Sequence, residues 1–116
     1  MSVDNIAPIL SPPVEKAIAS PQIILQVVTE ELKISLEDIK GTSRRREISH
    51  ARQIGMYLMR QHTDLSLPRI GEEFGGKDHT TVMYSCDKVA KKAEKDNQMS
   101  QILARFSDRI NFESKQ

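Results

Sequence analysis

The run Gly75-Gly76-Lys77-Asp78-His79-Thr80-Thr81-Val82 places two glycines, a cation, a carboxylate and three hydrogen-bonding side chains in immediate succession. Glycine tolerates the positive φ of a sharp bend, and Asp78 is suited to cap the exposed amides of a helix beginning there. His79, Thr80 and Thr81 then fall in that helix's first turn. An Asp accepts from a cytosine amine, a His donates or accepts, and a Thr methyl packs on a thymine methyl. This is the chemistry of base edges, and helix-turn-helix proteins present the start of their second helix to those edges in the major groove.

Such a turn needs a helix before it. Ser66 is placed to cap one, with Pro68 in its first turn, Ile70 and Phe74 facing inward, and Gly75-Gly76 ending it. The helix from Asp78 continues through Val82, Cys86, Val89, Ala90 and Ala93, an apolar stripe at helical spacing. Lys88, Lys91, Lys92 and Lys95 in its later turns are read as favourable charges at a helix C-terminus. Upstream, Ile48, Ala51, Gly55 and Leu58 share one face, with Ile54 beside them, which predicts a long helix from near Arg46 to about His62 as the spine of the core. Arg52 and Gln53 lie off that stripe and, with Arg44, Arg45 and Arg46, are disposed to meet a duplex backbone. Ser20-Pro21 opens a helix over about 21–33, and Ser35-Leu36-Glu37-Asp38 has the pattern of a capping box before a very short helix that Gly41 ends. A last helix near Gln98 turns Met99, Ile102, Leu103, Phe106 and Ile110 inward. No stretch alternates with period two, so the expected fold class is all-α.

Composition bounds the reading without directing it. The chain has 116 residues, 38% hydrophobic and 28% charged, as expected of one modest soluble core. No apolar run approaches a membrane span and no leader pattern is present, so a cytoplasmic, nucleoid-associated location is expected. A single cysteine, Cys86, allows no intrachain disulfide. The net charge of +1 hides a segregation: between Lys40 and Arg60 six basic residues face Glu47 alone, whereas residues 1–39 hold six acids and two lysines. A concentrated basic segment in a near-neutral whole fits a localised phosphate-binding surface. Pro8, Pro12, Pro13 and Pro21 break up the start of the chain, so residues 1–20 read as a connector and 21–116 as the helical domain.

Two other functions compete with duplex binding. A metal or catalytic centre would draw on His50, His62, His79 and Cys86, but His79 and Cys86 stand about 10 Å apart along one helix at 1.5 Å per residue. One zinc needs its ligand atoms within about 2.0–2.3 Å. Cys86 is therefore read as a small core residue, and neither a metal nor an enzymatic role is expected. A helical protein-interaction module would instead use Met56, Tyr57 and Met59 as an apolar patch; core packing also accounts for that cluster and is preferred.

Four segments, Ser43-Arg44-Arg45-Arg46, Ala51-Arg52-Gln53, Ser66-Leu67-Pro68-Arg69-Ile70-Gly71 and Gly75-Gly76-Lys77-Asp78-His79-Thr80-Thr81-Val82, give the chain from about Pro21 to Ile110 a resemblance to the C-terminal DNA-binding domain (domain IV) of the DnaA family of bacterial replication initiators. The resemblance implies a TrpR-like all-α bundle whose helix-turn-helix carries an added basic loop. It also implies binding to DnaA boxes, A·T-rich sites of the TTATNCACA type at the replication origin. On this resemblance Asp78, His79, Thr80 and Thr81 contact bases or lie beside them in the major groove, Leu67 and Pro68 make apolar contacts at the DNA edge, and Arg44 enters a narrowed minor groove. Arg45, Arg46, Arg52, Gln53, Arg60 and Lys77 fall to phosphate, with Lys77 standing where many family members have Arg. Full-length members also hold an ATPase domain. This chain has no G-x-x-x-x-G-K-[ST] loop, so no cofactor is expected within it, and ATP belongs to that other domain. The remaining partners implied are the rest of the initiator, its oligomer and acidic phospholipid at the connector, a role the acidic, proline-rich residues up to Glu15 disfavour.

Overall fold

The computed structural model describes residues 19–115; all but the last two residues of the expected connector lie outside them. Six helices and no strand are found among the described residues: α1 (Pro21–Leu32), α2 (Leu36–Lys40), α3 (Arg46–His62), α4 (Leu67–Glu73), α5 (His79–Lys95) and α6 (Asn97–Ser114). Three of them start as the serines dictate. The hydroxyls of Ser20, Ser35 and Ser66 accept from the amides of Ile23, Asp38 and Arg69 at 3.3, 3.1 and 3.4 Å. Each satisfies one of the donors that a helix start leaves without an intrahelical partner. α1 ends one residue before the expected boundary, because Lys33 turns left-handed at φ 58° and its amide bonds back to Thr29. No glycine marks that stop, which is why the sequence did not show it.

α3 is the spine, with α1, α2, α4, α5 and α6 all packed against it. Its inward side chains Ile54, Met56, Leu58 and Met59 are fully or almost fully buried, together with Phe74 of the turn after α4 and Phe106 of α6. Burial of each such side chain is worth about 1.5–3 kcal/mol. Met56 and Met59 are therefore core, and Tyr57 only packs partly against it, so the Met/Tyr patch of the competing reading does not exist as a surface. Gly55 faces the Phe74 ring so closely that an added Cβ would stand 2.8 Å from its tip. Removing the side chain at that point is what lets the turn of α4 lie flat on α3.

The other end of the bundle is tied by polar contacts. The Ala19 amide donates to the His62 carbonyl at 2.9 Å, and the His62 ring nitrogen Nε2 lies 3.0 Å from the Ser107 hydroxyl. Arg109 of α6 donates to Glu31 of α1 at 2.9 Å and pairs with Glu30 as well. No helix among the described residues is long and apolar enough to cross a membrane.

Candidate nucleic-acid interface

The bend between α4 and α5 is built on one carbonyl. Gly71 accepts from the amides of Gly76 at 3.0 Å and Lys77 at 2.9 Å, after Gly75 has bonded back to Glu72 at 3.2 Å. Gly75 and Gly76 both take positive φ, 87° and 85°. Gly71 has a different reason to lack a side chain: its Cβ would lie 2.0 Å from the Lys77 carbonyl. Gly75 adds a close approach of its own, since a Cβ there would come 1.8 Å from the carbonyl oxygen of Lys40, at the end of α2.

α5 then starts at His79, where the capping argument places it, with Asp78 in extended geometry before it. The Asp78 side chain makes no capping hydrogen bond, which corrects the expected cap. It accepts instead from the Thr80 hydroxyl and stands 3.3 Å from His79 Nδ1. Accepting from Thr80, more than any other contact, holds its carboxyl below the usual range and keeps it an anion. Asp78, His79, Thr80 and Thr81 are all exposed. Asp78, His79 and Thr80 form a mutually oriented polar cluster at the start of a helix whose first inward residue, Val82, is fully buried.

Arg52 and Lys77, both expected on phosphate, occupy carbonyls in this structure. Arg52 donates through Nε to Ile39 at 2.9 Å, through one terminal nitrogen to Ser43 at 3.1 Å and through the other to Asp38 at 2.9 Å. A guanidinium has five N–H donors, so at most two are left for an anion. Lys77 donates to Gly41 at 2.7 Å and Phe74 at 2.9 Å, with Lys40 at 3.5 Å. That fills the three donors of an ammonium. Burial, and then the nearby Arg52 charge, lower the Lys77 pKa. The two cations thus hold the carbonyl-lined stretch from Asp38 to Ser43 from both sides. The basic loop emerges directly after it.

The other expected residues divide among three surroundings. Arg44, Arg45 and Arg46 are exposed, and Arg45 pairs with Glu47 at 3.1 Å. Gln53 is half-buried in a cleft that Arg44 and Arg46 also line. Arg60 lies elsewhere, two turns along α3, in a cleft it shares with Thr80 and Met83. Pro68 is exposed beside a half-buried Leu67 at the start of α4. Cys86 is buried, and that burial raises its thiol pKa. The carbonyl-holding geometry of Arg52 and Lys77 was not legible in sequence, because it joins residues as far as 37 positions apart.

Residues 21–89 match the family described as the bacterial dnaA protein helix-turn-helix. Over 99% of its length the chain is 69% identical to the chromosomal replication initiator protein DnaA of Rippkaea orientalis and 64% identical to that of Nostoc punctiforme. The corresponding protein of Microcystis aeruginosa is 66% identical over 96% of the chain. In each case the chain spans about a quarter of the relative's length (25%). The matched segment is a helix-turn-helix and not an enzymatic domain, and it contains both the bend at Gly75 and the basic loop at Arg44. The chain belongs to the bacterial DnaA helix-turn-helix family.

Proposed function

We propose that this chain binds duplex DNA sequence-specifically at DnaA boxes, as the DNA-reading part of a chromosomal replication initiator. The start of α5 enters the major groove, where Asp78, His79 and Thr80 read base edges with Thr81 beside them. Arg44 enters the adjoining minor groove, whose narrowing over A·T-rich sequence deepens its negative potential. Gln53, Arg45, Arg46 and Arg60 contact phosphate, and Leu67 and Pro68 pack at the edge of the duplex. Arg52 and Lys77 act mainly as positioning residues that fix the loop relative to the turn. No cofactor takes part in this readout.

The observation that carries the proposal is the coupling of the two reading elements: Lys77, next to the exposed Asp78–Thr80 cluster, bonds the Gly41 carbonyl, and Arg52 bonds the Ser43 carbonyl two residues further along, where the Arg44 loop begins. A bipartite reader needs a fixed distance between its two parts, and these bonds supply it. The test is a fluorescence-anisotropy titration of one consensus box against a scrambled duplex of equal length at two salt concentrations. Tighter binding to the box at both, with both affinities falling as salt rises, supports the reading. Equal affinity for the two duplexes overturns it.

A further inference from the structure

Beyond the reading face, the first half of α3 and the second half of α5 enclose a cleft whose walls are basic. Arg44 and Arg46 stand at one side, Lys88 and Lys92, one turn apart on α5, at the other, and His50 lies between them. No carboxylate lines it, and α6 contributes only Met99, which with Val89 forms a buried apolar floor. The neighbouring cations are neutralised locally, Arg45 by Glu47 and Lys91 by Asp87 at 3.1 Å each. Among the described residues, none of the four cations in the cleft is paired with a carboxylate. The four cations are exposed around a half-buried imidazole, and an anion entering between them meets no carboxylate that competes with it.

We propose that this cleft is a phosphate-binding site for a backbone phosphodiester of the same duplex whose bases α5 and Arg44 read, with Arg46, Lys88, Lys92 and His50 as its ligands. The proposal rests on the DNA-binding reading above. Continuity selects the occupant, because Arg44 and Gln53, which line the cleft, are also the residues that the proposed reading above assigns to the duplex.

The site has a proton attached to it. In the free protein, burial first, then the charges of Lys92 and Lys88, lower the His50 pKa below its ordinary value of 6.5. The facing groups are all cations, Arg44 from the loop, Arg46 on its own helix, and Lys88 and Lys92 on α5, so nothing already present offsets that effect. A bound phosphate reverses it by placing a negative charge against the ring. His50 then takes a proton from solvent as the duplex binds, and affinity is higher below the bound-state pKa and lost as pH rises through it.

The test compares the whole chain with Lys88→Gln/Lys92→Gln and with His50→Gln, using box and scrambled duplexes, salt titrations, and pH values from 6 to 8. Circular dichroism verifies that each variant is folded. The double variant is expected to bind both duplexes more weakly by the same factor, with a salt slope smaller by about one. His50→Gln is expected to flatten the pH dependence that the unaltered chain shows. An unchanged salt slope in the double variant, or an unchanged pH profile in His50→Gln, overturns the proposal while leaving box recognition standing. So does selective loss of binding to phosphatidylglycerol vesicles by the double variant with duplex binding intact, which assigns the cleft to a lipid surface. Failure of the unaltered chain to prefer the box overturns the underlying function instead, and failure to bind any duplex overturns both.

Discussion

His79 has its side chain 56% exposed and its Nδ1 beside the Asp78 carboxylate, so the ring's orientation is fixed by a neighbour that itself faces solvent. Thr80 holds the same carboxylate from the other side. Reading then depends on three side chains arranged as a unit, none of which contributes to the core. His79→Ala is accordingly expected to leave the fold and the salt dependence unchanged while abolishing the preference for a box over scrambled duplex. Competition anisotropy with the two duplexes measures this, and retained discrimination would remove His79 from the readout. At this scale the sequence showed which residues are exposed at the turn but not what they touch. The side chain of Asp78 was expected to cap the helix, and the hydroxyl two residues along takes it instead.

Element by element, the serines and glycines wrote their positions openly. Ser20, Ser35 and Ser66 cap as their type dictates, and the boundaries of α3 follow from its stripe of apolar residues. Lys33 and Arg52 were opaque for opposite reasons. A left-handed lysine has no sequence signature, and an arginine off the apolar stripe looks the same whether it faces phosphate or the carbonyls of Asp38, Ile39 and Ser43. Gly75 and Gly76 offer a controlled comparison within one turn. Both have φ near 85°, where an L side chain costs roughly 1–2 kcal/mol. Only Gly75 faces backbone: a Cβ there meets the Lys40 carbonyl at 1.8 Å, whereas nothing lies within 4 Å of one at Gly76. Gly75→Ala is expected to destabilise the protein clearly more than Gly76→Ala and to weaken box preference too, because it pushes the basic loop away. Urea unfolding midpoints of the two variants check the order; equal losses would mean that only the φ angle matters.

In the whole molecule, reading and stability are carried by different parts. α6 holds no residue of the reading cluster or the basic loop, yet buries Met99, Leu103, Phe106 and Ile110 and ties α1 through Arg109. Phe106→Ala is expected to cost about 3–5 kcal/mol, a large share of what a domain this size possesses. While the variant is still folded, at low temperature and without denaturant, its ratio of box to scrambled affinity is expected to match that of the unaltered chain. Paired urea-unfolding and anisotropy measurements separate the two effects, and a changed ratio would show that α6 shapes the reading face. The net charge of +1 had the same divided character. It concealed the basic loop in the total, and only the fold shows that Lys88 and Lys92, 42 or more positions away from Arg46, face it across a cleft.

The contact of Gly75 with the Lys40 carbonyl also sets the limits of exchange between relatives. A recognition helix transplanted from another family member brings its own turn, and that turn must fit whatever backbone ends α2 in the recipient. The smallest portable unit is therefore two distant pieces of chain, residues 38–46 and 71–81, which should be swapped together or not at all.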